Sequence, residues 1–325
     1  MTELSLCLIV RNEAKSLARC LRSAANVASD IVVLDTGSTD ETVAIALACG
    51  ARVVHAPWQN DFSKARNAAI EHATGAWVLF LDADEELGPG WAEGLGERLA
   101  DTDADGFSVI MENLLPADDV ARSVEARIVR LFRNTPGYRY ENAIHEQIRA
   151  PIERLGGRIA ELDLRIVHHG YMSTSAQGEP RAARNVRLLR EEVRNKPHDA
   201  WVHYHLGVAQ KAAQNARAAQ KHLREALALD RGVLDVEAKG RATCTLAQIE
   251  LAEGRNAKAA ALARRSLSFD AQNLAALHVL ALATFFGGDA RAAAPMLEAI
   301  RRSPRCNPAH HADLDRVLAW TRRAA

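Results

Sequence analysis

Two aspartates directly follow an apolar stretch of the chain, in the segment LFLDAD at residues 79–84. The run WVLFL before them has no polar alternation, which predicts a strand covered on both faces. Ligands of open α/β sheets bind at the carboxyl ends of strands. Carboxylates at that position, here Asp82 and Asp84, can hold Mg²⁺ or Mn²⁺, and such a cation bridges diphosphate oxygens. The alternative is a solvated acidic turn, because two acids separated by one residue are common.

Polar side chains also follow the first two predicted strands. Arg11 and Glu13 come after the strand that ends at Val10, where polar groups can meet a base and a ribose. Asp35 ends the second strand and can accept hydrogen bonds from a uracil edge or from a ribose. The alternative for both segments is ordinary helix capping. For the first segment taken alone, capping is the better explanation.

Two cations, Lys64 and Arg66, lie near the start of the helix that precedes the acidic strand, and Asn67 follows them. Cations at this place can meet a diphosphate. The alternative is a surface helix with solvated charges.

These residues require a sheet that brings strand ends together. Residues 1 to about 115 alternate apolar β-type runs with helical segments in the order βαβαβαβ. This order predicts a Rossmann-like, mostly parallel sheet. Three further strands are predicted at 107–111, 126–132 and 164–169, as the second half of the same domain.

From about residue 180 the chain is Ala-rich and helical, with an internal repeat. The pair Leu206-Gly207 recurs as Leu246-Ala247 after 40 residues and as Leu280-Ala281 after 34 more. Small residues at fixed positions let paired helices approach closely, and each pair needs a neighbour to cover its apolar face. We therefore predict tetratricopeptide (TPR)-like repeats with a capping helix at 309–322. The alternative is an irregular helical bundle.

Composition sets the remaining limits. The 325 residues suggest about two domains, which we place at 1–175 and 180–325. Lys plus Arg and Asp plus Glu both number 41, so no overall basic charge indicates nucleic acid. Five scattered cysteines without a CxxC motif suit a reducing compartment. With neither a signal peptide nor an apolar run of the ~20 residues that a membrane span needs, we expect a cytoplasmic protein.

The segments VRNE, VVLDTGSTDET, FSKARN and LFLDADEE stand in this order and spacing. Together they resemble family 2 glycosyltransferases of GT-A fold, closely over residues 4 to about 90 and loosely over 107–171. The variant that pairs this domain with TPR repeats is similar to bacterial lipopolysaccharide-core glucosyltransferases and to peptide S-glycosyltransferases. The resemblance implies an α/β GT-A domain followed by an all-α TPR-like domain, and a UDP-sugar-dependent hexosyltransferase.

The resemblance also implies roles for individual residues. The strand-1 loop, with Arg11 and Glu13 after Val10, would line the nucleotide pocket, and Asp35 would contact the uracil. Arg66 would lie near the base or the diphosphate, and Asp82 would contact the ribose or the metal region. Lys64, Asn67 and Ala83 would also bind the nucleotide sugar. Asp84 would ligate the metal, and His168 in the segment RIVHHGY would be a second ligand. The alternative for His168 is a half-buried structural histidine.

Inverting transfer is a single displacement at the anomeric carbon, and it needs a base for the acceptor proton. General-base assistance is typically worth ~10²–10⁴-fold. The segment 138–147 is rich in proton-handling groups at the place where such a domain meets its acceptor. We predict Glu146 as the base, with Glu141 second and His145 as an orienting or donor-contacting group. Ordinary solvated charges are the alternative for each of them.

Two other classes compete with an active transferase. One is a catalytically inactive GT-A/TPR binding scaffold, which the presence of both aspartates and of Arg66 and Asn67 disfavours. The other is a nucleotidyltransferase, which would want a glycine-rich loop after strand 1 that VRNEAKS lacks. The expected partners are a nucleotide-sugar donor and a peptide, protein or glycan acceptor. The repeats would bind such an acceptor or form a homodimer.

Overall fold

A computed structural model describes residues 3–115, 119–169 and 181–324. The chain divides into two compact units. Unit 1 comprises Met1–Leu114 and Ser123–Ala176, and unit 2 comprises Leu115–Arg122 and Gln177–Ala325. The boundary predicted between residues 175 and 180 lies outside the described residues and stays a prediction.

Unit 1 is built on a mixed sheet with the strand order β3-β2-β1-β4-β7-β6-β8-β5. Strands β1 to β4 are parallel neighbours, as the alternating pattern predicted, and β7 then runs antiparallel to β4. Strands β6 and β8 are parallel to each other, whereas β6 with β7 and β5 with β8 are antiparallel. The strands are Leu4–Val10, Asp30–Asp35, Arg52–His55, Trp77–Phe80, Glu85–Leu87, Gly106–Leu114, Ser123–Arg133 and Ile159–His168, numbered β1 to β8.

The sequence prediction of unit 1 was incomplete in its second half. The three predicted later strands correspond to β6, β7 and β8, each of which is longer than its apolar run. Strand β5 was not predicted, because three residues in an acidic stretch carry no strand pattern. The helices of this unit are Leu17–Ser23, Thr42–Ala48, Phe62–Ile70, Leu95–Ala100 and Arg149–Arg154, numbered α1 to α5.

Both faces of the central strands are buried. Leu6 and Leu8 of β1 pack in one apolar cluster, while Cys7, between them, packs in a second. Strand β4 behaves alike, with Leu79 in the first cluster and Phe80 in the second. This two-sided burial is why the sequences of these strands are continuous apolar runs.

The parallel strands end at one edge of the sheet. Val10 stands beside Asp35 in the β1–β2 register. On the other side of β1, the amide of Leu81 donates to the carbonyl of Cys7 at 3.1 Å. The side chains that follow β1, β2 and β4 therefore lie along this carboxyl edge.

Unit 2 is a series of packed helices. The helices are Arg181–Asn195, Ala200–Ala212, Ala216–Leu229, Val236–Ala252, Asn256–Phe269, Leu274–Phe286, Ala290–Arg302 and His311–Ala324, numbered α6 to α13. The repeat positions Ala219, Ala259 and Ala293 are fully buried. This packing confirms the predicted TPR-like register, and the predicted capping helix corresponds to α13. No helix in the described ranges is both long and apolar enough to span a bilayer.

The segment between β6 and β7 is part of the helical unit, a feature that no pattern in the sequence indicates. Val120 packs in an apolar cluster with Leu297 and Leu318. Its carbonyl accepts a hydrogen bond from the amide of Asn307 at 2.8 Å. An amide at the other end of the segment, that of Arg122, donates to the carbonyl of Arg305 at 3.0 Å.

Gly207 marks the closest helix approach in the first repeat. A Cβ at this position would lie 2.6 Å from Leu223 Cγ and 3.0 Å from the backbone nitrogen of Leu223. In the next repeat, Ala247 corresponds to Gly207, and the small Ala263 corresponds to Leu223. Gly207 thus makes room for a leucine where the following repeat has an alanine. A Cβ at Gly240, which also lies inside a helix, would meet Phe269 Cβ at an ordinary 3.5 Å.

We expect Gly207→Ala to lower the free energy of unfolding by about 1–3 kcal/mol, because the added methyl overpacks the α7–α8 contact. Gly240→Ala is the matched control and should be neutral or stabilising by up to about 1 kcal/mol, since alanine favours helices. Urea unfolding followed by far-ultraviolet circular dichroism measures both variants. Equal effects of the two substitutions would contradict this assignment of the close contact.

Candidate active site at the carboxyl edge of the sheet

The turn Asp82–Glu85 links β4 to β5 and is closed by two hydrogen bonds. The amide of Glu85 donates to the carbonyl of Asp82 at 3.0 Å. In return, the amide of Asp82 donates to Glu85 Oε2 at 2.8 Å. Asp84 lies within this closed turn, so the turn determines where its carboxylate points.

Arg66 joins this turn to the segment that carries the predicted base. Its Nη2 donates to Asp82 Oδ1 at 2.8 Å, and its Nε donates to Glu146 Oε1 at 2.5 Å. The buried guanidinium also stacks on the ring of Phe80, 4.4 Å from the centroid. Three residues that the sequence analysis singled out, Arg66, Asp82 and Glu146, are thus in direct contact.

A second buried guanidinium, that of Arg130 on β7, was not predicted as part of the site. Its Nη2 donates to Asp82 Oδ2 at 3.1 Å and to Glu85 Oε1 at 2.6 Å. The signal available in the sequence was an arginine inside the apolar run IVRLF at residues 128–132. A charge at such a position is buried and must be paired.

The protonation of the cluster follows from burial and charge. Burial alone would raise the pKa of Asp82, but Arg66 and Arg130 outweigh burial and hold this pKa well below its usual range. Burial raises the pKa of Glu85 to about 7, although Arg130 opposes the shift. Burial likewise raises the pKa of Tyr140 to about 12. Arg66 Nη1, Arg130 Nε and the Tyr140 hydroxyl have no partner among the described residues, which leaves capacity for a water or ligand oxygen.

Asp84 and His168 form a pair that fits a divalent cation. His168 Nε2 lies 3.3 Å from Asp84 Oδ2, and its Nδ1 lies 2.9 Å from Asn113 Oδ1. The Asn113 amide nitrogen donates to the carbonyl of Val124, so its oxygen faces the histidine and accepts from Nδ1–H. In neutral His168 the Nε2 lone pair then points at a carboxylate, and either a proton or a cation must lie between the two acceptors.

The donor set suits a cation that the substrate helps to bind. A carboxylate and an imidazole whose second nitrogen is held by an acceptor are usual ligands. Adjacent ligands of an octahedral Mg²⁺ or Mn²⁺ are about 3 Å apart, similar to the 3.3 Å between Asp84 and His168. No group of three or more acid, histidine or cysteine side chains that could hold a metal occurs in the described part of the chain. Phosphate oxygens and water would therefore complete the coordination.

Hydrogen bonds close the turn after β2 and join it to the loop after β1. The buried Asp35 carboxylate accepts hydrogen bonds from the amides of Gly37 and Ser38 at 3.1–3.2 Å. Asn12, in the left-handed conformation at φ 57°, accepts from the amide of Thr39 at 2.7 Å. These bonds close the turn after β2, whereas helix α2 begins at Thr42 with no side-chain hydrogen bond at its N-cap, so the helix-capping alternative is not observed for Asp35. Contact of Asp35 or of Glu13 with a nucleotide stays a prediction.

The remaining predicted donor-binding residues are placed as follows. Arg11 and Lys64 are exposed, whereas Val10 and Ala83 are buried. Asn67 has a structural role that was not predicted, because its side-chain amide donates to the carbonyl and accepts from the amide of Tyr140, at 2.9 and 2.8 Å. Asn67 thereby holds the segment that leads to Glu146.

The two candidate bases lie in different environments. The Glu146 side chain is 13% exposed and bound to Arg66. The Glu141 side chain is 47% exposed and paired with Arg154. His145 adopts a left-handed conformation at φ 54° between them. Of the two acids, Glu146 contacts Arg66. The catalytic roles of Glu146, Glu141 and His145 all stay predictions.

Much of unit 1 is similar to known proteins. Residues 5–150 match the model of glycosyl transferase family 2. A TPR repeat-containing protein of Synechococcus elongatus is 38% identical over 234 residues, which cover 70% of this chain and 57% of that protein. The SPbeta prophage-derived glycosyltransferase SunS of Bacillus subtilis is 29% identical over 201 residues, 61% of this chain and 47% of that protein. The chain thus spans about half the length of these curated relatives.

Among solved structures, residues 1–349 of S. aureus TarS in complex with UDP-GlcNAc are similar with a TM-score of 0.42 and 15% identity. That similarity covers 88% of this chain and 92% of the other. The family match and the named relatives confirm the predicted combination of a family 2 glycosyltransferase domain with a helical repeat region.

We expect Arg66→Lys to destabilise unit 1, because a lysine ammonium cannot replace the Nε and Nη2 contacts together. Loss of one partner of a buried ion pair typically costs about 3–5 kcal/mol. Lys64→Met, on the exposed face of the same helix, should stay within about 0.5 kcal/mol of the wild type. Guanidinium unfolding with tryptophan fluorescence compares the two. A fully stable Arg66→Lys protein would contradict the bridging role.

Proposed function

We propose that this chain, whose residues 5–150 form a family 2 glycosyltransferase domain, is an inverting hexosyltransferase that uses a nucleotide-sugar donor and a divalent cation. The observation that carries the proposal is the Arg66 guanidinium, which binds Asp82 on one side and Glu146 on the other. Arg66 thereby fixes the turn that carries Asp84, the candidate cation ligand, relative to the Glu146 carboxylate, which can accept a proton.

The proposed reaction is a single displacement. The acceptor's nucleophilic atom attacks the anomeric carbon while the bond from that carbon to the diphosphate oxygen breaks. Glu146 accepts the acceptor's proton, and the departing diphosphate keeps the electron pair of the broken bond. Arg66 holds Glu146 Oε1, while Oε2 makes no hydrogen bond to any described residue and is available for the proton.

Asp84 and His168 would hold the cation, Mn²⁺ or Mg²⁺. When bound, such an ion supplies positive charge that stabilises a leaving diphosphate. Asn113 orients His168 so that Nε2 faces Asp84, and second-sphere contacts of this kind are worth about 10–100-fold in metal affinity.

UDP is the proposed nucleotide, and Asp35 at the end of β2 is its proposed uracil contact. The acceptor is proposed to be a peptide, a protein or a glycan. All five cysteines are free thiols, which supports the proposed cytoplasmic location because a reducing compartment keeps thiols reduced. The inactive scaffold remains the alternative function, and turnover decides between the two.

The first experiment is a panel of UDP-, GDP- and dTDP-sugars incubated with and without Mn²⁺, with nucleotide release as the readout. We expect Mn²⁺-dependent hydrolysis of one donor class. Asp84→Asn and His168→Ala should each lower this turnover roughly 100-fold or more, because each removes a proposed cation ligand.

Glu86→Gln is the matched control for that panel. Glu86 also contacts a histidine, His169, at 3.1 Å, and its substitution should leave turnover within a factor of about three. A wild-type protein that releases no nucleotide from any donor would support the scaffold alternative. Equal losses in Glu86→Gln and Asp84→Asn would argue against the assigned ligand pair.

Glu146→Gln should lower sugar transfer by about 10²–10⁴-fold, since the amide cannot accept the acceptor proton. Donor affinity should change little, because the base acts on the acceptor. Glu141→Gln should retain near-wild-type transfer. The measurement is the kcat of transfer to the acceptor, with donor binding followed by calorimetry, and a larger loss in Glu141→Gln would reverse the assignment.

A further inference from the structure

We propose that Arg130 is a positioning residue of this site, which holds the turn Asp82–Glu85 in the shape that presents Asp84. The proposal rests on the proposed function, because the position of Asp84 matters only if Asp84 binds a cation.

Burial of the charged Arg130 side chain costs free energy of folding. It lies among Val129, Leu131 and Phe132 on β7, and all four residues are buried. Replacement of a buried ion pair by apolar residues of similar volume is often neutral or stabilising. An apolar side chain would therefore serve the sheet at least as well, and the reason for an arginine must lie in what its guanidinium contacts.

Those contacts join the two ends of one turn. Nη2 donates both to Asp82 Oδ2 at 3.1 Å and to Glu85 Oε1 at 2.6 Å. Because one nitrogen contacts both carboxylates, these lie close together, and without a cation between them they repel when both are ionised. Repulsion at the ends of the turn would separate Asp82 from Glu85 and move Asp84 away from His168.

Together with Arg66, Arg130 also fixes the orientation of the Asp82 carboxylate. Arg66 binds Oδ1 and Arg130 binds Oδ2, so the carboxylate is held from two directions. Among the described residues, the side chain of Arg130 donates hydrogen bonds to the turn alone. We therefore expect its loss to affect the cation ligand Asp84 through the turn.

The test separates positioning from simple charge neutralisation. Arg130→Met alone leaves Glu85 buried beside Asp82 and is expected to destabilise unit 1. The double variant Arg130→Met/Glu85→Gln removes both charges, and the new side-chain amide at position 85 can still accept from the backbone N–H of Asp82. We measure its melting temperature, its Mn²⁺ affinity by electron paramagnetic resonance in the presence of UDP, and kcat and KM for donor hydrolysis.

The expected result is a double variant that melts within a few degrees of the wild type but binds Mn²⁺ about 10–100-fold more weakly. We expect its kcat to fall by a similar factor, with a smaller change in KM. Arg127→Met is the matched control on the same strand, where Arg127 forms partly exposed ion pairs with Glu161 and Asp163, and it should not change Mn²⁺ affinity.

Two results would overturn the positioning role. One is a double variant that regains both stability and wild-type Mn²⁺ affinity, which would show that Arg130 only neutralises Glu85. The other is a double variant that melts far below the wild type, which would show that the pair is needed for folding. A wild-type protein that neither binds Mn²⁺ with UDP nor hydrolyses any donor would instead refute the proposed function, and the positioning role with it.

Discussion

Burial of two guanidinium groups between apolar strands costs free energy unless carboxylates surround them, and this constraint organises the site. Both arginines bind Asp82. Arg66 also binds Glu146, and Arg130 also binds Glu85. The result is a chain of alternating charges whose members come from α3, β7, the turn after β4 and the segment before α5. Because a buried charge without its partner is so unfavourable, each of these elements must be in place for the others to be stable.

The parallel half of the sheet supplies the frame for that cluster. Strands β1, β2 and β4 end at one edge, and the loops after β1 and β2 are joined by hydrogen bonds such as that from the Asn12 amide to Ser38 Oγ at 3.0 Å. The Asp35 carboxylate binds the turn that follows it. A loop held in this way loses less conformational entropy when a ligand binds. The structural role of Asp35 in its turn is therefore compatible with a role in nucleotide binding.

The residues predicted from sequence were those whose signal is local. An acidic pair after a continuous apolar run indicates a strand end, and Asp82 and Asp84 are found there. The arginine in the apolar run IVRLF does not reveal its partner, and Asn113 carries no local signal, because the partners of Arg130 and Asn113, Asp82 and His168, lie 48 and 55 residues away in sequence. These contacts depend on the pairing of β7 with β4 and of β6 with β8, which periodicity does not reveal. For the same reason the place of Val120 in the helical unit could not be foreseen.

Two acid–histidine pairs lie next to each other in this chain, and their surroundings decide which one suits a cation. The side chains of Asp84 and His168 are 19% and 11% exposed, whereas those of Glu86 and His169 are 37% and 26% exposed. Less water surrounds the better-shielded pair, so its charges act more strongly on an ion. His168 also has Asn113 behind it to fix its tautomer, and the register of β5 against β8 sets Glu85 beside it. An acid next to a histidine thus gives a candidate cation site at one position and a more exposed contact at the other.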